Sequence, residues 1–307
     1  MIHDNNVICS QIIIDRVSVV IDYVKEEDQV KVLQAFTSLA KSEYYARPGR
    51  KFRYKQSLKL YAGSELDTTI LVEAQPRSPY VSFFRLEYNP AKIDPVNFRW
   101  IIEALLPGGW TDFVNCAVCT RIDLAVDITG IKVDELITYW PGMRRSRQFF
   151  SSGKTLENSN ELPTLQTYEI GAYGGVRHVT IYDRNEQIRR ENKKLIVKVP
   201  VPTQPVTRIE FRIRPKAGWV EVAGIQNLFA ELQVGEFASL PSLVDDEKFR
   251  LFIALCQAQG VHNALLILTE STRKSYKKRL QQTAPQWWQP AKIWDGLEHA
   301  LAVVLTS

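Results

Sequence analysis

Cysteine, methionine and histidine are scarce: 307 residues hold four, two and four of them. The cysteines stand at 9, 116, 119 and 256, too few and too scattered for a disulfide framework, so a reducing compartment is expected. Cys116 and Cys119 make one CxxC pair with no second pair and no neighbouring histidine, short of the roughly four ligands a zinc site needs. His3, His178, His262 and His299 are dispersed, and a surface place is expected for His178. No apolar run approaches the roughly 18 residues that span a bilayer, which argues against a membrane protein. The opening MIHDNN is polar and acidic, so a secretory signal is not expected and the cytoplasm is the expected location. P-loop and serine-hydrolase motifs are missing, so no nucleotide-driven motor is expected within this chain.

What remains is an ordinary folding composition, 45% hydrophobic and 24% charged, which excludes global disorder. Lys plus Arg outnumber Asp plus Glu by 39 to 34, a mild basic excess that permits a polyanionic partner without demanding one. The length suits two domains or one large one.

Alternation and β-branching predict strands over 12–23, 69–74, 80–88, 119–128, 146–151, 164–171, 176–183 and 207–214. Helical spacing predicts helices over 25–41, 96–106, 132–140 and 185–194. After Pro215 the pattern reads as helical to the end, with helices over 249–257, 263–280 and 293–305 and a turn at Gly260. The stretch 151–163 reads as a polar loop.

The two halves resemble a divergent duplication. Arg16–Asp22, RVSVVID, stands opposite Arg121–Asp127, RIDLAVD, and Arg85-Leu-Glu-Tyr stands opposite Arg208-Ile-Glu-Phe. The expected fold is α+β: two related β-α-β-β units forming antiparallel sheets with helices on one face, plus a helical C-terminal region. The expected boundaries are 1–110, 111–216 and 217–307.

Strand alternation places Ile122, Leu124, Val126 and Ile128 on a core face and Arg121, Asp123, Ala125 and Asp127 on the other. Over 207–214, Ile209, Phe211 and Ile213 face the core, leaving Arg208, Glu210, Arg212 and Arg214 on an open face. Asp123, Asp127 and Glu210 are hard oxygen donors of the kind that suit Mg²⁺ or Mn²⁺. Cross-strand carboxylate–arginine pairs explain the same pattern without a metal. In VRHVTIYD, Tyr182 shares a face with His178. A phenol beside a divalent ion and an arginine such as Arg208 is able to attack a phosphodiester; a tyrosine on a sheet rim is the plainer reading.

RIDLAVD, the Gly-rich turn leading into VTIYDR, and TRIEFRIR occur in an order and spacing that resemble the trans-acting replication initiation factors of rolling-circle plasmids and some filamentous phages. The MobT-type conjugative relaxases share those motifs. The likeness runs from about Cys119 to Arg214, with weaker support from FRLEYNPAKI at Phe84–Ile93. It implies a metal-dependent, site-specific DNA nickase. In it Tyr182 is the nucleophile, forming a 5′-phosphotyrosyl link and freeing a 3′-OH. Asp123 and Glu210 match the acidic positions thought to hold the metal, with Asp127 a further ligand candidate. Arg184 stands where a lysine is usual, a fork in place of a point charge. The Ser-Arg-Lys-Ser-like element of the family's hairpin is replaced by AYGGVRH. The lack of a His-x-His pair sets the chain apart from the histidine-based nickases. Ser18 occupies the place of Asp123 in the first half, which is therefore expected to be a non-catalytic copy.

Four basic clusters are candidates for DNA contact: Arg50, Lys51 and Arg53 among aromatics; Arg144, Arg145 and Arg147; Arg189 and Arg190; and Lys274, Lys277 and Lys278 on a C-terminal, helix-turn-helix-like segment. Each also reads as a solvated face. The expected partners are origin DNA, both duplex and single-stranded, a host helicase and a second copy of the chain. A relaxase of the same chemistry, a water-using nuclease and a non-catalytic origin-binding protein are the alternatives. Tyr173 is a spare nucleophile candidate.

Overall fold

A computed structural model describes residues 7–50, 52–63, 68–143, 145–150, 164–172, 175–195, 197–239, 246–282 and 284–306. Lys51, Arg144, Tyr173 and the stretch 151–163 lie outside the described residues. The strands are β1 (Ile8–Cys9), β2 (Ile13–Ile21), β3 (Tyr45–Pro48), β4 (Tyr54–Tyr61), β5 (Thr69–Pro76), β6 (Phe84–Tyr88), β7 (Val118–Thr129), β8 (Leu136–Tyr139), β9 (Ser146–Phe150), β10 (Leu165–Ile170), β11 (Arg177–Asp183), β12 (Val206–Ile213) and β13 (Gln233–Glu236).

The chain forms two compact units. The N-terminal unit comprises Ile13–Leu124, Arg212–Gln226 and Leu297–Ser307; the tyrosine unit comprises Met1–Ile12, Ala125–Phe211 and Asn227–Gly296. Antiparallel strands and helices together make the chain α+β. The duplication is visible in strand order. The first repeat runs β3-β4-β5-β6-β2 and the second β9-β10-β11-β12-β7, the same five-strand arrangement.

In the N-terminal unit the helix Glu26–Leu39 buries Val32, Phe36 and Leu39, and Phe36 meets Phe84 of β6 edge-on. Its N-cap, Lys25, supplies no capping side chain; Glu26, Glu27 and Asp28 offset the exposed amides of the first turn. The helix Pro95–Leu105 starts on an Asp94 cap that accepts from Asn97 N, with proline at the first turn. Tyr88, Phe98, Trp110, Phe113 and Trp219 pack as one aromatic cluster beneath it.

In the tyrosine unit Trp140, Phe211 and Phe229 stack edge to face in the core. Helices Glu247–Gln259, Val261–Leu266 and Glu270–Gln281 share a second core with Ile137 and Tyr139, built on Phe249, Phe252, Val261, Leu265 and Tyr276.

Several expectations are corrected. The helix expected over 132–140 is a short 3₁₀ turn, Val133–Glu135, followed by β8, which pairs antiparallel with β13. Val133, Leu136, Ile137 and Trp140 have helical spacing, but the four residues of β8 are all buried, so they form a short ribbon. β13 likewise interrupts the region read as wholly helical. The helix expected over 263–280 is broken after Leu266 because Thr269 caps a new helix, accepting from Thr272 N. The final helix is two, Pro290–Trp294 and Leu297–Thr306, with Gly296 between them against Ile12. Within the basic, aromatic stretch Lys41–Lys59, for which no element was expected, the chain enters the β3–β4 hairpin.

Candidate active site and nucleic-acid contacts

β11 ends where Asp183 leaves the ladder and accepts from Glu186 N, capping the helix Arg184–Asn192. That cap fixes the strand end and with it Tyr182. The Tyr182 phenol donates to Glu210 Oε2 at 3.2 Å. On the same strand, Thr180 Oγ1 lies 3.4 Å from His178 Nδ1. β10 pairs Thr167 with Tyr182 and Glu169 with Thr180; β9 pairs Phe149 with Thr167 and Arg147 with Glu169. Paired residues of an antiparallel ladder share a face. Phe149 and Arg147 therefore lie on the tyrosine's face, two strands away, on the edge strand, and Phe149 is 46% exposed.

Arg208 Nε and Nη2 grip Asp127 Oδ1 and Oδ2 at 2.6 and 2.8 Å, a bidentate pair. Within the N-terminal unit Asp123 is held by Arg121 and lies 3.4 Å from Arg212 Nε. The face expected to be open is therefore largely closed: Asp123 is 1% exposed, and all of β12 is buried. Mutual neutralisation makes this burial affordable. His178, expected at the surface, is 1% exposed, with its Nε2 3.9 Å from Glu169.

The carboxylates are hard donors, as a divalent cation requires, but each already has a guanidinium or phenol partner. Among the described residues no group of three or more His, Cys, Asp or Glu side chains is placed to hold a metal ion. The tyrosine unit thus holds an Arg208–Asp127 ion pair and a Tyr182–Glu210 hydrogen bond, and the N-terminal unit holds Asp123 among arginines. The four cysteines are free thiols, with burial raising Cys119 to about 12.

Arg184 opens its helix and donates to Gln187, turned to that helix. Arg189 and Arg190 pair with Glu186. Arg145 and Arg147 are exposed, as are Arg50 and Arg53. Lys274 and Lys278 lie on the exposed side of the helix Glu270–Gln281, Lys274 beside Glu270. Lys277 instead sits over the Tyr139 ring. Glu169, Thr167 and Phe149 escaped sequence reasoning. Polar alternation in QTYEI was the available signal, but the register that sets it against Tyr182 is not written in one sequence.

The first repeat offers a contrast. Glu87 is gripped by Arg85, with Arg16 at 3.7 Å, and the residue opposite it on β5 is Leu71. Arg85 also reaches Ser18 Oγ at 3.2 Å and Glu73. The N-terminal glutamate thus faces no tyrosine on β5.

Among the described residues no helix is long and apolar enough to cross a membrane. No family model and no curated protein matches the chain. Among solved structures, a rolling circle replication initiator protein from Geobacillus stearothermophilus matches 82% of this chain and 98% of its own at 16% identity and TM-score 0.39. A TM-score of 0.39 falls short of a common fold.

Proposed function

We propose that the chain is a DNA strand nickase of the rolling-circle initiator type, acting through Tyr182. The observation that carries this reading is the hydrogen bond from the Tyr182 phenol to Glu210. A phenol loses its proton only near pH 10 when unperturbed, and a carboxylate already accepting that proton is placed to take it. Tyr182 Oη attacks the phosphorus, its proton passes to Glu210, and the bond from phosphorus to the 3′ oxygen breaks. The 3′ oxygen takes a proton from water, leaving a 3′-OH and a 5′-phosphotyrosyl link. Arg208 lies beside Asp127 in the same unit and is the proposed cation for charge developing on the phosphate.

Mg²⁺ or Mn²⁺ is the proposed cofactor, with Asp127 and Glu210 as ligands from the tyrosine unit; when bound, it supplies Lewis-acid polarisation of the phosphate. Asp123, the further ligand candidate of the second repeat, is held by Arg121 and lies near Arg212; the first repeat, with Ser18 in its place, is proposed as a non-catalytic copy. Origin DNA is the proposed substrate, acted on as an unpaired strand. Lys274 and Lys278 are proposed duplex contacts on the last helix of a three-helix cluster. A relaxase would use the same chemistry at a transfer origin.

The test is a labelled single strand from the element's own origin, with Mn²⁺ or with EDTA. A denaturation-resistant protein–DNA band that needs Mn²⁺ and vanishes in Tyr182→Phe supports the reading. Cleavage that persists in Tyr182→Phe without such a band would mean a water-using nuclease instead.

A further inference from the structure

Two neighbouring hairpin tips of the N-terminal unit expose large aromatic rings. Phe52, in the β3–β4 turn, is 82% exposed, and Tyr80, in the β5–β6 turn, is 95% exposed. Rings of that size are normally covered, and their exposure marks contact surfaces when they cluster. The tips are tied together, because Arg77 N donates to Arg53 O at 2.8 Å. β4 and β5 are adjacent strands that pair Tyr54 with Pro76, so both turns leave the sheet at one end.

The β5–β6 tip is built to hold its shape. Val81 N donates to Ser78 O and Tyr80 N to Ser78 Oγ, closing a turn with Pro79 as its first central residue. Proline pre-sets that position, so Tyr80 stands on a braced apex and loses little entropy on binding.

The two turn segments themselves carry charge of one sign, with the Asp22 carboxylate at the β5–β6 tip accepting from Phe83 N. Arg50, Arg53 and Arg77 are exposed beside the rings, and residues 49–53 and 75–82 include no carboxylate. Exposed rings alone would suit any apolar partner. Rings interleaved with exposed guanidinium groups suit a ligand with flat faces and a phosphate backbone, in which the bases are free to stack. In a duplex the bases are already stacked on one another and closed to the rings.

We propose that these two tips form a clamp for an unpaired DNA strand, with Phe52 and Tyr80 stacking bases and Arg50, Arg53 and Arg77 holding phosphates. The clamp is independent of the chemistry at Tyr182. It assigns the N-terminal copy a task of its own, holding the strand that the tyrosine unit is proposed to cut.

The test uses the full chain, a fluorescent oligo(dT) single strand and a duplex of equal length, read by anisotropy at two salt concentrations. Tyr80→Ala and Phe52→Ala are each expected to weaken single-strand binding about tenfold, with the melting temperature and duplex affinity unchanged. Tyr80→Phe is expected to keep wild-type affinity, because the ring and not the hydroxyl does the stacking. Arg77→Ala is expected to flatten the salt slope by about 0.7. Unchanged affinity in Tyr80→Ala, an equal loss on the duplex, or a Tyr80→Phe loss as large as that of Tyr80→Ala each overturns the clamp. Covalent adduct formation is scored separately in the same preparations. Adducts with unchanged Tyr80→Ala binding remove the clamp and leave the nicking reading standing; tenfold losses without wild-type adducts do the reverse.

Discussion

Tyr182 and Glu210 form a hydrogen bond of 3.2 Å in which the phenol is the donor. The acceptor is a carboxylate on the neighbouring strand, and the tyrosine is the last but one residue of its own strand, held by the Asp183 cap. A phenol and a carboxylate, proposed above as nucleophile and base, are thereby fixed in reach of each other by regular structure. Glu210→Gln keeps the shape and removes the carboxylate that is proposed as both base and metal ligand. Single-turnover adduct formation is expected to slow by about 10²–10⁴-fold, with oligonucleotide affinity nearly unchanged. A Glu210→Gln chain as fast as wild type would remove Glu210 from the chemistry.

Arg208 and Asp127 make a bidentate pair in which the arginine is buried. Asp127→Asn leaves that guanidinium charge without its carboxylate, and a loss of about 3 kcal/mol in urea unfolding is expected. The double change Asp127→Leu with Arg208→Met removes both charges and is expected to recover most of that stability. A double variant no more stable than Asp127→Asn would show that the pair is not acting as a unit.

The same pair bears on the metal. With Asp127 committed to Arg208 and no three-donor cluster among the described residues, the DNA-free chain is expected to bind Mn²⁺ weakly. In the proposed mechanism a single strand gives Arg208 phosphate to hold, so adding one is expected to tighten Mn²⁺ binding at least about tenfold. Electron paramagnetic resonance titration of free Mn²⁺ reads this directly, and tight binding without DNA would contradict it.

His262 is buried between Tyr168 and the Trp140 carbonyl, and burial lowers its pKa from 6.5. Its folded pKa lies below the unfolded one, so the unfolded chain binds the proton first as pH falls. The stability tied to neutral His262 is complete above about 6.5 and drains away below it, down to the folded pKa. His262→Gln is expected to show a shallower loss of stability between about pH 6.5 and 5 than wild type. Equal slopes in urea titrations across that window would count against the assignment.

Gly260 has φ of +84° and ψ of 152°, a region open in practice only to glycine, and an added Cβ would lie 2.9 Å from the Tyr168 ring. Gly260→Ala is expected to destabilise by about 2 kcal/mol or more in urea unfolding. A neutral effect would mean that the turn between the two helices adjusts without strain.

Much of the second repeat is legible in its alternation. Ile122, Leu124, Val126 and Ile128 are buried, as are Ile209, Phe211 and Ile213. β8 was not legible, because four consecutive buried residues carry no alternation and overlap a helical spacing. β4 was hidden similarly: Ser57 and Leu58 are buried in succession after two exposed residues, so its period is broken. The charged face was visible, but its closure was not. Asp123 meets Arg212 and Asp127 meets Arg208 across long stretches of chain, and one sequence does not reveal such partners. Nor does it reveal that Arg77 and Arg53 join two hairpin tips.

The measurement that bears most directly on the central claim is peptide mapping of the covalent adduct. The chain is reacted with an origin single strand and Mn²⁺, digested with protease and nuclease, and the nucleotide-bearing peptide is sequenced by mass spectrometry. The account predicts a 5′-phosphonucleotide on Tyr182 and none in Tyr182→Phe. A nucleotide on Tyr173, on any other residue, or on none would contradict it.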